Sequence, residues 1–359
     1  MSTPGPYENN ETEGTGAEVA SAPQTRPQTI ADVAARAGVS LATVSRVMNG
    51  NSSVDHALAE RVRAAAQELN YSASHLARSL VLGKTNTVAV VIPDLENPSF
   101  HGVLRGLSHA AVRDGYHILI ADSAESAREE RILAVQTRKR CDGLVLCSPR
   151  MSEKHLRPLL EELKPVVLVN RDAGSPSTPV VAADHRRALT ELFDLLYGYG
   201  HRSLVYLAGP PQSASNARRL AAVRDFLDGH PDVDIQILRG GVTFADGYEA
   251  VARVLASSAT GVLAFNDLLA IGLMSALSER GVQVPAEMSV VGFDDIPLAR
   301  YLTPPLTTAS VPGTELGQLA WQRMWDLLND RAPGPAIFLR PRIESRGSAG
   351  PVQLSEAVR

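Results

Sequence analysis

The sequence predicts a small all-α headpiece and a connecting hinge helix joined to a two-lobed α/β core of parallel sheets. Three observations predict it. Residues 29–71 carry three short amphipathic helical patterns, each with its own capping residues. From Thr87 onward, short apolar runs alternate with amphipathic helical stretches, the pattern of strands buried on both faces in βαβ units. The chain has 359 residues, 44% of them hydrophobic, enough for two or three domains with real cores.

Residues 1–26 are rich in Gly, Pro, Ser, Thr, Asn and Glu, and read as a disordered tail that cannot offset its ordering entropy. Residues 27–73 read as the headpiece. Thr29 with Asp32 forms a capping-box pattern, and Ile30, Val33, Ala34 and Ala37 then share one face. Gly38 stops this helix where a positive φ is wanted. Ser40 caps a second helix, Leu41 to Met48, with Val44, Val47 and Met48 facing inward. Asn49-Gly50-Asn51 breaks it, and Asp55 caps a third helix, His56 to Leu69, with an inner stripe of Leu58, Val62, Ala65, Ala66 and Leu69. Two short helices joined by a tight glycine turn read as a helix-turn-helix over residues 29–49. Residues 74–85 read as a hinge helix.

The core, residues 86–345, has strand-like runs at 88–92, 117–121, 143–147, 166–169, 203–208, 235–238, 261–265 and 289–293. Many end in polar or turn residues, among them Pro93-Asp94, Asn170-Arg171, Gly209-Pro210, Asn266-Asp267 and Asp294-Asp295. Open α/β sheets bind ligands there, outside the carboxyl ends of their strands. Runs before about residue 183 form one lobe and 184–309 the other, and a last helix, about 314–329, returns to the first. Residues 346–359 read as a C-terminal tail.

The formal charge of −4 argues against a generally basic nucleic-acid coat, but the charge is unevenly placed. Glu8, Glu11, Glu13 and Glu18 oppose only Arg26 in the tail. Residues 27–85 carry Arg36, Arg46, Arg61, Arg63, Arg78 and Lys84 against Asp32, Asp55, Glu60 and Glu68, a modest cationic island. Cys141 and Cys147 fit no metal spacing and read as small buried residues in a reducing cytoplasm. No run approaches the ~20 apolar residues of a membrane span, and the polar, acidic N-terminus shows no secretory signal. There is no G-x-S-x-G elbow, P-loop, H-E-x-x-H or metal-spaced His/Cys cluster, so catalysis is not expected.

The stretch from Thr29 to Asn49 (TIADVAARAGVSLATVSRVMN) closely resembles the helix-turn-helix of the lactose/galactose-repressor (LacI/GalR) family. Glu68-Leu-Asn-Tyr71 and Ala77-Arg-Ser-Leu80 match the end of that headpiece and its hinge. Phe265-Asn-Asp267, Ser289-Val-Val-Gly-Phe-Asp-Asp295 and Pro305-Leu-Thr-Thr308 match the family's sensor core, which is periplasmic-binding-protein-like. The likeness spans roughly residues 28–345. It implies a ligand-responsive transcriptional regulator, in most cases a repressor, that binds a palindromic DNA operator as at least a homodimer, without a cofactor.

The resemblance assigns Leu41, Ala42 and Arg46 to base reading, and Thr43, Ser45 and Asn49 to phosphate contact or support. Thr29, Ser40 and Ser74 complete the DNA-facing set at the three helix starts. Leu80 corresponds to the leucine that wedges into the minor groove. The family usually has Pro-Asn before the hinge, where this chain has Ala73-Ser74. For the effector, a sugar or sugar derivative, motif matching gives Asp94, Asn97, Phe100, Asn170, Arg219, Asn266 and Asp294. Two departures stand out: Val242 where many relatives carry an aromatic platform, and Val311 at a position often polar. Phe244 or Phe100 can substitute as the platform. The rival reading, a solute-binding receptor without DNA function, needs an export signal and no headpiece.

Overall fold

The computed structural model describes residues 28–48, 54–71, 83–172, 174, 177–332 and 334–353. The tail, Asn49, and the hinge with Ser74 and Leu80 lie outside the described residues. The chain divides into two compact units, residues 1–81 and 82–359.

In the first unit, α1 (Ile30–Ala37), α2 (Leu41–Met48) and α3 (His56–Glu68) enclose a small core of Val33, Ala34, Ala37, Val44, Val47, Ala59, Val62, Ala65 and Ala66. Thr29 and Asp32 form a reciprocal cap: the Thr29 hydroxyl accepts from the Asp32 amide, and the Thr29 amide donates to the Asp32 carboxylate at 2.7 Å. Gly38 ends α1 at φ 64°, the left-handed conformation that glycine adopts without strain. Arg61 Nη2 donates to the Ala37 carbonyl at 2.5 Å, tying α3 to the end of α1. The inner stripe of α3 differs from expectation: Ala59 is buried, while Leu58 is only partly so and stands outside the core. The packed face runs through Ala59, Val62 and Ala66, where two methyl-sized side chains let α3 approach its neighbours closely.

In the second unit, the first lobe holds β1 (Thr87–Ile92), α4 (Ser99–Arg113), β2 (His117–Asp122), α5 (Ala127–Arg138), β3 (Gly143–Cys147), α6 (Glu153–Glu162), β4 (Val166–Val169) and β5 (Val180–Ala183). The second holds α7 (His185–Gly198), β6 (Ser203–Ala208), α8 (Ala214–Gly229), β7 (Asp234–Arg239), α9 (Phe244–Leu255), β8 (Gly261–Ala264), α10 (Asp267–Glu279), β9 (Ser289–Asp294) and β10 (Thr307–Ser310). α11 (Gly313–Leu328) then returns to the first lobe, β11 (Ile337–Leu339) extends that lobe's sheet, and β12 (Arg342–Glu344) ends the other. The sheet orders are β11-β5-β4-β3-β1-β2 and β12-β10-β9-β8-β6-β7, parallel throughout except where β12 runs against β10. The chain thus crosses between lobes after β5, after β10 and after β11. β5, β10, β11 and β12 were not among the expected strands.

α11 is seated on α4 by glycines. A Cβ at Gly106 would lie 2.0 Å from the Thr314 carbonyl oxygen, and one at Gly317 would lie 2.1 Å from that of Val103. Trp321 Nε1 adds a hydrogen bond to Asp114 at 2.6 Å. Residues 346–353 are not a tail. Arg346 donates its amide to Thr307 Oγ1 and its guanidinium to Asp295, Ser348 is buried against β9 and β10, and Gly350 bonds to Ser289. Small side chains let this strand-like segment bury its backbone while the serine and threonine hydroxyls satisfy it.

Candidate functional site

Two sites come forward, one in each unit. In the headpiece, the inward side chains of α2 leave Leu41, Ala42 and Arg46 exposed, with Leu41 at 51%. Thr43 and Ser45 are partly buried. Ser40 is the helix cap: its hydroxyl accepts from the Thr43 amide at 3.2 Å and bonds the Thr43 hydroxyl at 2.9 Å. The headpiece cations differ in what they do. Arg36 pairs with Glu68, Arg63 with Glu60, and Arg61 holds α1. Arg46 has no partner among the described residues and presents its guanidinium to solvent beside two small or apolar side chains. A helix that offers such groups from its exposed face can enter a major groove, where an arginine donates two hydrogen bonds to guanine.

In the core, residues past the carboxyl ends of the strands of both lobes line one narrow cavity of about 50 Å³. Asn97, Phe100, Glu125, Ser148, Arg150 and Asn170 come from the first lobe. Ser213, Ser215, Arg219, Val242, Phe265 and Asp294 come from the second, with His185 at the first crossing. Of the residues expected from sequence, Asn97, Phe100, Asn170, Arg219 and Asp294 meet here.

Asp94 and Asn266 do not line the cavity, and each is engaged by backbone nearby. Asp94 turns its own loop by accepting from the Glu96 amide at 2.8 Å. Asn266 caps α10 by accepting from Leu269 and donates to the Val242 carbonyl at 2.8 Å, so both ends of its amide are engaged away from the lining. Phe100 borders the cavity, whereas Phe244 begins α9 at 44% exposure, outside the lining. Val311 packs against the cores of both lobes, which explains an apolar residue there.

Arg219 is fully buried on α8. Its guanidinium carbon lies 3.5 Å from the Phe293 ring centroid and 4.6 Å from that of Phe265. Nη1 donates to the Phe265 carbonyl, and Nη2 donates to His185 Nδ1 at 3.2 Å. With Nδ1 accepting, the His185 proton sits on Nε2 and is donated to Ser215 Oγ at 3.1 Å. Burial, then the charges of Arg219 and Arg218, hold His185 well below its usual range, so the ring is neutral. Burial pushes the Asp294 carboxyl up to about 8, although Arg219 pulls the other way.

On the opposite wall, Arg150 grips Glu125 with two hydrogen bonds at 2.6 and 2.8 Å, and Glu130 holds the Arg150 and Met151 amides from behind. Sequence reasoning missed Glu125, Arg150, His185, Ser213 and Ser215. All stand within a few residues of a strand's carboxyl end, which is the signal that would have found them.

The signature motifs of the second lobe meet at Asp267 rather than at the cavity. Its Oδ1 accepts from Thr308 Oγ1 at 2.6 Å and its Oδ2 from the Ile296 amide at 2.8 Å. A Cβ at Gly292 would lie 2.2 Å from Oδ1. One carboxylate therefore ties together Phe265–Asp267, Ser289–Asp295 and Pro305–Thr308.

Residues 29–74 match the model for "Bacterial regulatory proteins, lacI family", and 193–349 match that for a periplasmic binding protein-like domain. Catabolite control protein A of Priestia megaterium is 31% identical over 327 residues, 89% of this chain and 98% of that protein. The chain belongs to the LacI family. It is a DNA-binding transcriptional regulator. Among solved structures, the Lac repressor dimer bound to operator and an anti-inducer superposes with a TM-score of 0.82 at 25% identity, covering 90% of this chain and all of that one. A LacI-family regulator of Enterococcus faecium with bound ribose gives 0.65 at 28% identity, covering 74% of this chain and all of that one.

Among the described residues, no helix is long and apolar enough to cross a membrane, and no group of His, Cys, Asp and Glu can hold a metal ion. Cys141 and Cys147 are buried free thiols, and burial pushes Cys147 up to about 12.

Proposed function

We propose that this chain is a cytoplasmic, non-enzymatic repressor that binds a palindromic operator as a homodimer and is switched by a sugar-like effector between its lobes. The observation that carries the reading is the presence in one chain of an exposed Leu41-Ala42-Arg46 face and a polar cavity walled by both lobes. Arg46 reads a guanine, and Leu41 and Ala42 contact thymine methyls. Thr29, Ser40, Thr43, Ser45 and Asn49 place the helix on the phosphates, Ser74 starts the hinge, and Leu80 wedges the minor groove.

Asn97, Phe100, Asn170, Arg219 and Asp294 contact the effector, and His185, Ser215, Glu125 and Arg150 join them. The cavity is far smaller than the ~300 Å³ of a usual small-molecule site, so admission of a ligand requires the lobes to part. A ligand held by both walls favours one lobe angle, which is how it biases DNA affinity. The similarity to a ribose-bound regulator supports a sugar-like effector. Footprinting of the purified full chain on DNA upstream of its own gene tests the proposal. A protected, two-fold symmetric site is expected, and an unprotected fragment with and without sugars would defeat it.

A further inference from the structure

We infer that the effector of this chain is a sugar acid, a carboxylate on a polyhydroxyl body held by the donors around Arg219. This deepens the effector-responsive reading and rests on it.

Asn97 spends its side-chain oxygen on the Ser99 amide at 3.0 Å, and Asn170 spends its own on the Ala183 amide at 2.9 Å. A backbone amide can only be met by an oxygen, so both side chains offer NH₂ donors to the lining. Ser213 Oγ accepts from the Asn216 amide at 3.2 Å, and Ser215 Oγ accepts from His185, so each hydroxyl proton is left for another partner. Arg219 Nε is buried and makes no hydrogen bond among the described residues, with the Tyr206 hydroxyl close to the guanidinium. On the acceptor side, both Glu125 oxygens are engaged by Arg150. The wall therefore offers several unused donors, against which the Asp294 carboxyl, with no hydrogen bond among the described residues, is the free acceptor.

Its charge leans the same way. Arg219 forms no ion pair among the described residues, and Asp294 acts on it only through space. Burial pushes the Asp294 carboxyl upward, which weakens the counter-charge it can offer Arg219. A buried guanidinium without a counter-ion is unfavourable, and a ligand carboxylate relieves that. A sugar hydroxyl brings a donor with every acceptor and matches this wall only in part. A carboxylate brings acceptors alone.

The test is calorimetric titration of the full chain at pH 7 and constant ionic strength with matched pairs. These are D-glucuronate and D-glucose, D-galacturonate and D-galactose, and D-gluconate and D-glucitol, with D-glucose 6-phosphate as the other oxyanion. At least one acid is expected to bind about tenfold or more tightly than its neutral partner, the scale of a charge-assisted hydrogen bond. Asn170→Asp keeps the oxygen that Ala183 needs and replaces the donor with a second acceptor, so it should cancel that preference without disturbing the fold. The inference is overturned if neutral partners bind as tightly, if the preference survives Asn170→Asp unchanged, or if no carboxylate in the panel binds. Binding of the phosphate alone would likewise overturn the carboxylate assignment. Sequence-specific DNA binding measured on the same preparation separates failure here from failure of the regulator reading.

Discussion

Replacing Asp267 by alanine removes one carboxylate that three separate segments share. The Ile296 amide and the Thr308 hydroxyl lose their acceptor inside the second lobe. Each bond to a charged acceptor contributes about 1.5–3 kcal/mol. Part of that is offset because the buried carboxylate is itself unfavourable, as its rise to about 6 by burial shows. A net loss of about 3–4 kcal/mol follows, on the scale of breaking a buried polar pair. For a domain of this size it lowers the melting temperature by on the order of 10 °C. Asp267→Asn behaves differently: its oxygen still accepts from Ile296, and its NH₂ donates to Thr308 Oγ1. Circular dichroism melts of the three proteins check this, with Asn expected within about 3 °C of wild type. If the alanine variant melts as the wild type does, the shared carboxylate is not what holds these motifs together.

Three further outcomes are expected. Gly317→Ala forces a methyl against the Val103 carbonyl and should cost about 1–3 kcal/mol by parting α11 from α4. Gly198→Ala, with open space around it at the end of α7, serves as the clash-free control and should melt at or slightly above wild type. Arg46→Ala should keep the headpiece folded yet lose roughly ten- to hundredfold discrimination at one base pair; an unchanged preference in a base-substitution series would refute the contact. Asp267 and Asp294 both have folded pKa values raised above the unfolded 3.8, to about 6 and about 8. Their contribution is fully present below about pH 4 and is lost as pH rises through 6 and then 8, so the core should melt lower at pH 8.5 than at pH 5. Asp294→Asn should flatten the upper part of that slope, and an identical slope in the variant would contradict the assignment.

The headpiece helices were legible because their stops and starts are local: Thr29 with Asp32, Gly38, and Asp55 act within four residues of themselves. The long apolar runs of both sheets were equally plain. β5, β10, β11 and β12 were not, because strands of three or four residues such as Ile337–Leu339 carry too little periodicity to separate from loop. The segment from Arg346 reads as polar and small, and only its partners Thr307, Asp295 and Ser289, far back in the chain, make it part of the core. At the cavity, family motifs found Arg219, Asn170 and Asp294. Glu125 and Arg150 escaped because none of the matched family motifs covers their loops, although each stands three residues past a strand's carboxyl end. Asn266 and Asp94 show the reverse: their residue types suit a ligand, but neighbouring backbone groups engage them and neither lines the cavity.

In the proposed switch, DNA reading by the headpiece answers to the interlobe cavity. Fluorescence anisotropy of the full chain on its footprinted operator and on a scrambled duplex, with and without a ligand shown to bind the cavity, tests it most directly. At least ~10³-fold preference for the operator is expected, with a change of about fivefold or more in operator affinity on ligand binding. Equal affinity for both duplexes, or an operator affinity indifferent to the bound ligand, would contradict it.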